Sequence, residues 1–218
     1  MTLLSVAVAA AVPIALYDLE SNDGGFIESG ETGQWAWGAV TNGPGSSYDG
    51  ANAWSTGLTR NYLNETTDYV EVPVPDLSTA DRPMFSFRHW YDIAVGDNAW
   101  VEIDSGNGWA VATPLYGYPF TSGWSGASGG WQVAVFDLSD EGAAPRVRLA
   151  FATDTTGVAA GWTVDNVAFH DGDVAPPQIT DLIALADTDD LEGPYAVERS
   201  EEHTSELQSQ FRISYAVF

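Results

Sequence analysis

The sequence of 218 residues contains no cysteine and no lysine, so its 7 cationic side chains are all arginines. The absence of cysteine excludes a disulfide framework, a thiol nucleophile and a zinc site with cysteine ligands. Against these arginines stand 31 aspartates and glutamates, which give a formal net charge of −24. Because nucleic acids are bound through clustered cations and no basic patch is present, this charge argues against nucleic acid as a partner.

The sequence also lacks long apolar runs, helical periodicity and the common catalytic motifs. No apolar run reaches the roughly 18 residues of a transmembrane helix, so no membrane span is predicted. No HExxH, GxSxG or Walker pattern is present, which leaves zincin, hydrolase-elbow and P-loop activities without the residues they require. Between Ile14 and Phe169, no stretch of about ten residues combines helical spacing with freedom from Gly, Pro and β-branched clusters.

Short strand patterns separated by turn residues fill the body of the sequence instead. The predicted strands are Ile14 to Glu20, Ala51 to Leu58, Asp68 to Val74, Met84 to Asp92, Ala99 to Asp104, Trp109 to Leu115, Trp131 to Leu138, Arg146 to Asp154 and Gly161 to His170. Such a set predicts an all-β fold, an antiparallel two-sheet sandwich of the jelly-roll type.

Alternation along these strands indicates one buried and one wet face. In residues 98–103, the odd positions are aliphatic and the even positions carry Asn98, Trp100 and Glu102. The even positions are therefore expected to face water.

The last predicted strand breaks its own alternation at Asp165-Asn166. Trp162 and Val164 are even positions, whereas Val167 and Phe169 are odd. A β-bulge at the switch would keep all four apolar side chains inward and re-aim the acid. The alternative is a strand buried on both faces, in which odd and even positions are both apolar and the alternation does not indicate a bulge.

Both ends of the sequence differ from this body. Residues 1–13 are uncharged and apolar, and are predicted to be a signal-like segment or upstream sequence from a longer reading frame. Residues 174–198 combine Pro176-Pro177 with one strand pattern, which predicts a linker and the truncated start of an Ig/fibronectin-like domain. Residues 199–218 resemble the translation of a sequencing adapter, so the natural sequence is expected to stop at or before Glu198.

Acidic and amide side chains gather in residues 18–23, 48–52, 92–98 and 165–166. Calcium suits such oxygen ligands and takes about six to eight of them. Because the sequence has no EF-hand loop, a site would be assembled from distant residues, which is possible if the first and last strands of the sandwich lie side by side. The alternative is that these acids form a solvated surface.

Tryptophan and tyrosine are the other abundant side chains, with 9 of each. Trp35, Trp37, Trp54 and Trp124 lie in glycine-rich stretches outside the clearest strands. They are the candidate ligand-binding residues of a flat platform on which a sugar ring stacks. The alternative is that they close the sheet ends and pack under loops.

A series of motifs supports a family resemblance. They are DLESNDGGF, WAWG, NAWST with GLTRNYL, FSFRHWYDIAVGDNAWVEID, GNGW, WQVAVFDLSD, VRLAFATD and GWTVDNVAFHDGD. In this order, and over residues 14–173, they resemble the MAM-like jelly-roll modules of immune inhibitor A-type enzymes and of other secreted bacterial adhesin-like proteins. The resemblance implies a structural calcium ion held by Glu20 with Asp18 or Asp23, and by Asp165.

Two positions depart from the family pattern near this calcium site. Leu19 stands where the family often has Phe, and Asn166 stands where a second Asp is usual. The second departure lowers the negative charge expected around the ion.

These features predict a noncatalytic accessory or adhesion module, extracellular or on a bacterial cell surface. Its expected partners are the neighbouring domains of a larger secreted protein, and a surface glycan or protein. The alternative is a glycan-active enzyme domain, which requires two facing carboxylates about 5 to 10 Å apart; a third possibility is a structural spacer. His89 shares the parity of Phe85 and Phe87 in its strand, and is expected to be a core residue rather than a catalytic base.

Overall fold

The computed structural model describes residues 11–120 and 123–172. Their regular secondary structure consists of twelve β-strands: β1 Val12–Tyr17, β2 Ile27–Gly30, β3 Ala36–Ala39, β4 Asn52–Ser55, β5 Thr67–Val72, β6 Pro83–Ile93, β7 Asn98–Asp104, β8 Ala110–Ala112, β9 Gly126–Ala127, β10 Gln132–Asp137, β11 Arg146–Ala152 and β12 Gly161–Asp171. Among the described residues, no helix is long and apolar enough to cross a membrane. The predictions for residues 1–10, 174–198 and 199–218 lie outside the described residues.

The strands pair antiparallel and form two sheets. The seven-stranded sheet has the order β10, β6, β12, β4, β3, with β1 paired to β12 and β9 paired to β6. The five-stranded sheet has the order β2, β5, β11, β7, β8. The first and last strands are neighbours, and the chain crosses between the two sheets at most of its connections, as in a jelly roll. The predicted fold class is confirmed.

The core lies between the inner faces of the two sheets. β5 and β7 alternate between buried and half-buried residues, as a strand with one covered face does. In the seven-stranded sheet, the ring of Phe85 lies 5.1 Å from that of Phe169 and 5.8 Å from that of Phe136, between centres. Burial of these rings is the main favourable contribution to the stability of the sandwich.

Each predicted strand has an observed counterpart, but β2, β3 and β9 are not predicted. These strands have 4, 4 and 2 residues, too few to show an alternating pattern. β1 begins at Val12 instead of Ile14, so the last residues of the predicted segment 1–13 belong to the sandwich.

β12 contains the predicted bulge. Its register with β6 shifts between Asp165 and Ala168, and Asn166 has a positive φ of 45°. All four apolar side chains around the shift are in the core: Trp162, Val164, Val167 and Phe169.

The bulge coincides with a change of partner along the other edge of β12. Thr163 and Val164 pair with β4, whereas the residues from Val167 onwards pair with β1. Asp165 therefore lies where the loop that follows β1 meets the loop that precedes β4.

Candidate functional site

Asp165 is a buried acid that holds a loop by its backbone. Asp165 is 0% exposed. Oδ2 accepts the backbone N–H groups of Tyr48 at 2.8 Å and Asp49 at 3.1 Å, and Oδ1 accepts that of Asn166 at 2.7 Å. The Asp165 carboxylate thus accepts backbone N–H groups of the loop, which in a sheet would be paired with a neighbouring strand.

Glu20 holds the next residues of the same loop. Its Oε2 accepts the backbone N–H of Ala51 at 2.7 Å, and its Oε1 accepts that of Asn52 at 3.1 Å. The Asn52 side-chain amide donates in return to the carbonyl oxygen of Glu20 at 3.0 Å. Glu20 and Asp165, called the carboxylate pair below, together fix residues 48–52.

Burial raises the pKa of Asp165 to about 6. The amides of Asp49, Asn166 and Tyr48 oppose this shift because they stabilise the ionised form, and the charge of Glu20 adds to it. Arg88 of β6 is the cross-strand partner of Asp165, and its guanidinium carbon lies 4.7 Å from the centre of the Tyr48 ring. The site therefore has a cation near it in space, although none is near it in sequence.

The structure brings together Glu20 and Asp165 but not all the predicted calcium ligands. The carboxylate of Asp18 accepts the backbone N–H of Glu20 at 3.1 Å, and that of Asp23 accepts the N–H of Gly25 at 2.9 Å, so both cap local turns. Within the described ranges, no group of three or more His, Cys, Asp or Glu side chains is arranged to hold a metal ion.

The carboxylate pair by itself is a partial fit to calcium. Two carboxylates supply fewer oxygens than the roughly six to eight that the ion takes, so backbone carbonyls or water would have to complete the shell. Calcium binding stays a prediction that rests on the family resemblance and on this pair.

The predicted tryptophan platform is wrong. Trp35, Trp54 and Trp124 are only 3%, 6% and 4% exposed and belong to the core cluster. Trp37 is half-buried against that cluster and donates its Nε1–H to the carbonyl oxygen of Leu19 at 2.8 Å. These rings pack under loops because the sheet ends offer apolar surface, as the alternative interpretation held.

Aromatic and charged side chains instead cover the outer face of the five-stranded sheet, in rows across the strands. One row consists of Tyr69, Ala150 and Trp100. The next consists of Ile27, Glu71, Arg148, Glu102 and Val111. Arg146 and Asp104 begin a third. Ala150 is 0% exposed despite its outward position, so the larger side chains around it cover the sheet.

Two arginines order these rings. The guanidinium carbon of Arg148 lies 3.7 Å from the ring centre of Tyr69 and 4.2 Å from that of Trp109. The corresponding distance from Arg146 to Trp109 is 4.6 Å. Tyr69, Trp100, Trp109, Arg146 and Arg148 are called the aromatic face below.

Carboxylates fix the arginines in turn. Arg148 pairs with Glu102 at 2.5 Å, and Arg146 pairs with Glu71 at 2.7 Å. Glu102 also accepts the indole Nε1–H of Trp100 at 2.8 Å. The aromatic face is therefore a prearranged surface of rings and paired charges.

The aromatic face was not predicted from the sequence, although the position of one of its residues was. The alternation in β7 places Trp100 on the wet side of its strand. Tyr69 and Trp109 have no comparable signal, because their arginine partners come from a strand distant in sequence.

Three cavities bear on the enzyme alternative, with volumes of about 290, 330 and 200 Å³. Of the described residues that line them, Glu141 in the third is the one carboxylate. None of these three cavities presents the facing carboxylates that a glycan-active enzyme of this kind requires.

The fold and these surfaces define an antiparallel β-sandwich whose five-stranded sheet carries aromatic rings and paired charges on its outer face. No family model matches the chain, so the MAM-like resemblance stays a prediction. The chain is 24% identical over 157 residues to Bacillopeptidase F of Bacillus subtilis (strain 168). The aligned region covers 71% of the chain and 10% of that relative. The chain thus spans about a tenth of the length of the curated relative it matches.

Two solved structures are also similar to the chain. The K2 cleaved adhesin domain of Lys-gingipain has a TM-score of 0.44 and 14% identity, over 71% of this chain and 97% of that one. The xylan-binding domain from CBM 22 has a TM-score of 0.45 and 9% identity, over 74% of this chain and 96% of that one.

Proposed function

We propose that this chain is a noncatalytic accessory or adhesion module of a larger extracellular bacterial protein, and that its aromatic face contacts a glycan. The observation that carries the proposal is the arrangement of Tyr69, Trp100 and Trp109 at one outward sheet face. Arg148 stacks on Tyr69 and Trp109, and a hydrogen bond to Glu102 holds Trp100. The likeness to a peptidase over a small part of that relative's length supports a place among further domains.

The chemistry of the aromatic face suits a sugar chain. A pyranose presents an apolar C–H side, which packs on an aromatic ring, and hydroxyl groups, which pair with guanidinium and carboxylate groups. Because the rings and charges are already held in place, little side-chain entropy is lost when a partner is bound.

A protein surface is the second candidate partner. Ile27 and Val111 flank the row of Glu71, Arg148 and Glu102, and they are 66% and 60% exposed. Trp, Tyr and Arg are the side chains enriched in protein-binding hot spots, and Ile27 and Val111 add exposed apolar surface around them.

Retention of the full chain by polysaccharides tests the proposal. Electrophoresis through gels containing soluble xylan, β-1,4-galactan or a mucin would compare the wild type with Trp100→Ala and Trp109→Ala. Trp131→Ala is the matched control, because Trp131 packs on Tyr48, away from the aromatic face. We expect retention in at least one gel, weakened about tenfold or more by the two face variants and unchanged in the control.

Two results would contradict this proposal. One is the absence of retention in every gel, which would favour the protein partner. The other is retention that Trp100→Ala and Trp109→Ala leave intact. The same samples should release no reducing sugar on incubation, because the module is proposed to be noncatalytic.

Calcium is a separate part of the proposal. The support for it is the convergence of Glu20 and Asp165 on residues 48–52, where burial and, to a smaller extent, repulsion from the charge of Glu20 raise the pKa of Asp165. A cation near the pair would relieve this repulsion and stabilise the folded state.

A further inference from the structure

A cavity of about 290 Å³ opens where β10 meets the segment that follows β8. Its lining combines aromatic rings, prolines and part of β10, and includes His89, Tyr91, Pro114, Tyr116, Tyr118, Trp124 and Gln132. Tyr116 is 47% exposed, whereas Trp124 and Tyr91 are 4% exposed. The cavity therefore has an aromatic residue open to solvent and a buried aromatic wall.

The wall of the cavity is held rigidly. The Tyr118 hydroxyl donates to the carbonyl oxygen of Ala112 at 2.8 Å and accepts the backbone N–H of Val101 at 3.1 Å. The Tyr118 ring then meets Trp124 edge to face at 4.7 Å, and His89 meets Trp124 at 4.6 Å. A ligand would find these rings already placed.

His89 offers one hydrogen-bond donor to this cavity. Its Nδ1 accepts the indole N–H of Trp162 at 3.3 Å, so Nδ1 carries no proton. Burial lowers the pKa of His89 to about 3, so the ring is neutral at physiological pH and its proton is on Nε2. Among the described residues, none is hydrogen-bonded to that nitrogen.

No Asp, Glu, Lys or Arg is among the described residues that line the cavity, and the His89 ring is neutral. This is unusual in a protein with a net charge of −24. An anion would be repelled by the field of the whole molecule, and a cation would find no carboxylate in the wall. The cavity is thus matched to a neutral ligand.

We propose that this cavity binds a single neutral sugar ring, such as the end residue of a glycan, in addition to any contact at the aromatic face. The sugar ring would pack against the exposed Tyr116, with the edge of the buried Trp124 as part of the wall behind it, and one of its hydroxyl oxygens would accept the Nε2–H of His89. Gln132 adds a polar group to the wall. A volume of about 290 Å³ lies near the lower end of the roughly 300–1,000 Å³ of ligand pockets, which suits a monosaccharide.

Ligand-observed saturation-transfer NMR of the full chain with D-galactose, D-glucose, D-xylose and N-acetyl-D-glucosamine tests this inference. We expect at least one of these sugars to bind, and its signal to fall about tenfold or more in Tyr116→Ala. Tyr116 is exposed, so this variant leaves the core intact. His89→Phe keeps an aromatic ring but removes the donor, and should weaken binding of the same sugar.

Trp109→Ala is the matched control, because Trp109 lies on the aromatic face and not in the cavity. Sugar binding that survives Trp109→Ala and is lost in Tyr116→Ala supports the cavity, whatever the polysaccharide gels show. Binding of none of the four sugars, or binding that Tyr116→Ala leaves unchanged, overturns the inference. Loss in Trp109→Ala alone would also overturn it, and would assign the sugar to the aromatic face.

Discussion

Trp162 donates its indole N–H to Nδ1 of His89 across 3.3 Å, and this contact determines which imidazole nitrogen carries the proton. Because burial lowers the pKa of His89 to about 3, the ring should stay neutral through the physiological range. Long-range ¹H–¹⁵N NMR should show the Nε2–H tautomer, with no titration between about pH 5 and pH 8. A His89 resonance that titrates near its ordinary pKa of 6.5 would contradict this assignment.

The lowered pKa of His89 also predicts a loss of stability in acid. The unfolded state binds the proton near pH 6.5, whereas the folded state binds it only near pH 3. Between these values the unfolded state holds more protons, so the free energy of unfolding falls as the pH falls. Urea denaturation at a series of pH values should show a shallower acid loss in His89→Phe than in the wild type.

Asp165 predicts a pH dependence of the opposite sign. Its pKa is raised from 3.8 to about 6 by burial, so the folded state holds this proton more tightly than the unfolded state. Its contribution to stability is therefore present below about pH 4 and is lost as the pH rises to about 6. The difference in free energy of unfolding between wild type and Asp165→Asn should fall across this window and level off above it.

Glu20→Gln provides the control for this assignment. Because the charge of Glu20 helps to raise the pKa of Asp165, its removal should shift the upper end of the window to lower pH. Measurements at fixed ionic strength keep the general charge repulsion of the protein constant. Parallel pH profiles for the wild type and Asp165→Asn would refute the role given to this carboxylate.

The sequence was sufficient to predict the β-sandwich but not the arrangement of side chains on its surfaces. Alternation in β7 and the parity break in β12 follow from local side-chain order, and both are found in the structure. The sequence left burial of Trp35 and Trp54 as one of two alternatives, because glycine-rich loops carry no periodicity that would distinguish a buried from an exposed side chain. Likewise, the stacking of Arg148 between Tyr69 and Trp109 depends on which strands become neighbours, and that is a property of the whole fold.

Gly50 tests how firmly the carboxylate pair holds its loop. Its φ is +61°, and a Cβ there would lie 2.1 Å from the Glu20 carboxyl group. Gly45, in the same loop, has a φ of +77° and no atom within 4 Å of such a Cβ. We expect Gly45→Ala to cost about 1 kcal/mol from backbone strain alone.

Gly50→Ala should cost more than Gly45→Ala, because Glu20 must then leave the amides of Ala51 and Asn52. Urea denaturation measures both variants. In a Glu20→Ala background the extra cost of Gly50→Ala should disappear, and equal costs in the wild-type background would show that Glu20 does not hold the loop.

Calcium should stabilise the full chain if the prediction from the sequence is right. Binding to the folded state would raise the free energy of unfolding by about 2.7 kcal/mol when the ion is at a hundred times its dissociation constant. Thermal melting in calcium and in chelator measures this, with magnesium at equal ionic strength as the control for screening. The shift should vanish in Glu20→Gln and Asp165→Asn. Equal melting temperatures of the wild type in calcium and in chelator would contradict the proposed calcium site.

Arg148 and Arg146 form a matched pair for the aromatic face. Arg148 is 18% exposed in its side chain and stacks on both Tyr69 and Trp109, whereas Arg146 is 54% exposed and stacks on Trp109. Lysine keeps the charge but loses the planar group that stacks on a ring and pairs with a carboxylate. Arg148→Lys should therefore lower the free energy of unfolding by about 1 to 2 kcal/mol, and Arg146→Lys by less.

Chemical denaturation of both lysine variants measures the difference. We further expect Arg148→Lys to weaken polysaccharide retention in the gels, because Tyr69 and Trp109 would no longer be held at a fixed separation. If Arg148→Lys and Arg146→Lys cost the same, the stack between the two rings contributes no stability, and the aromatic face is not prearranged for a partner.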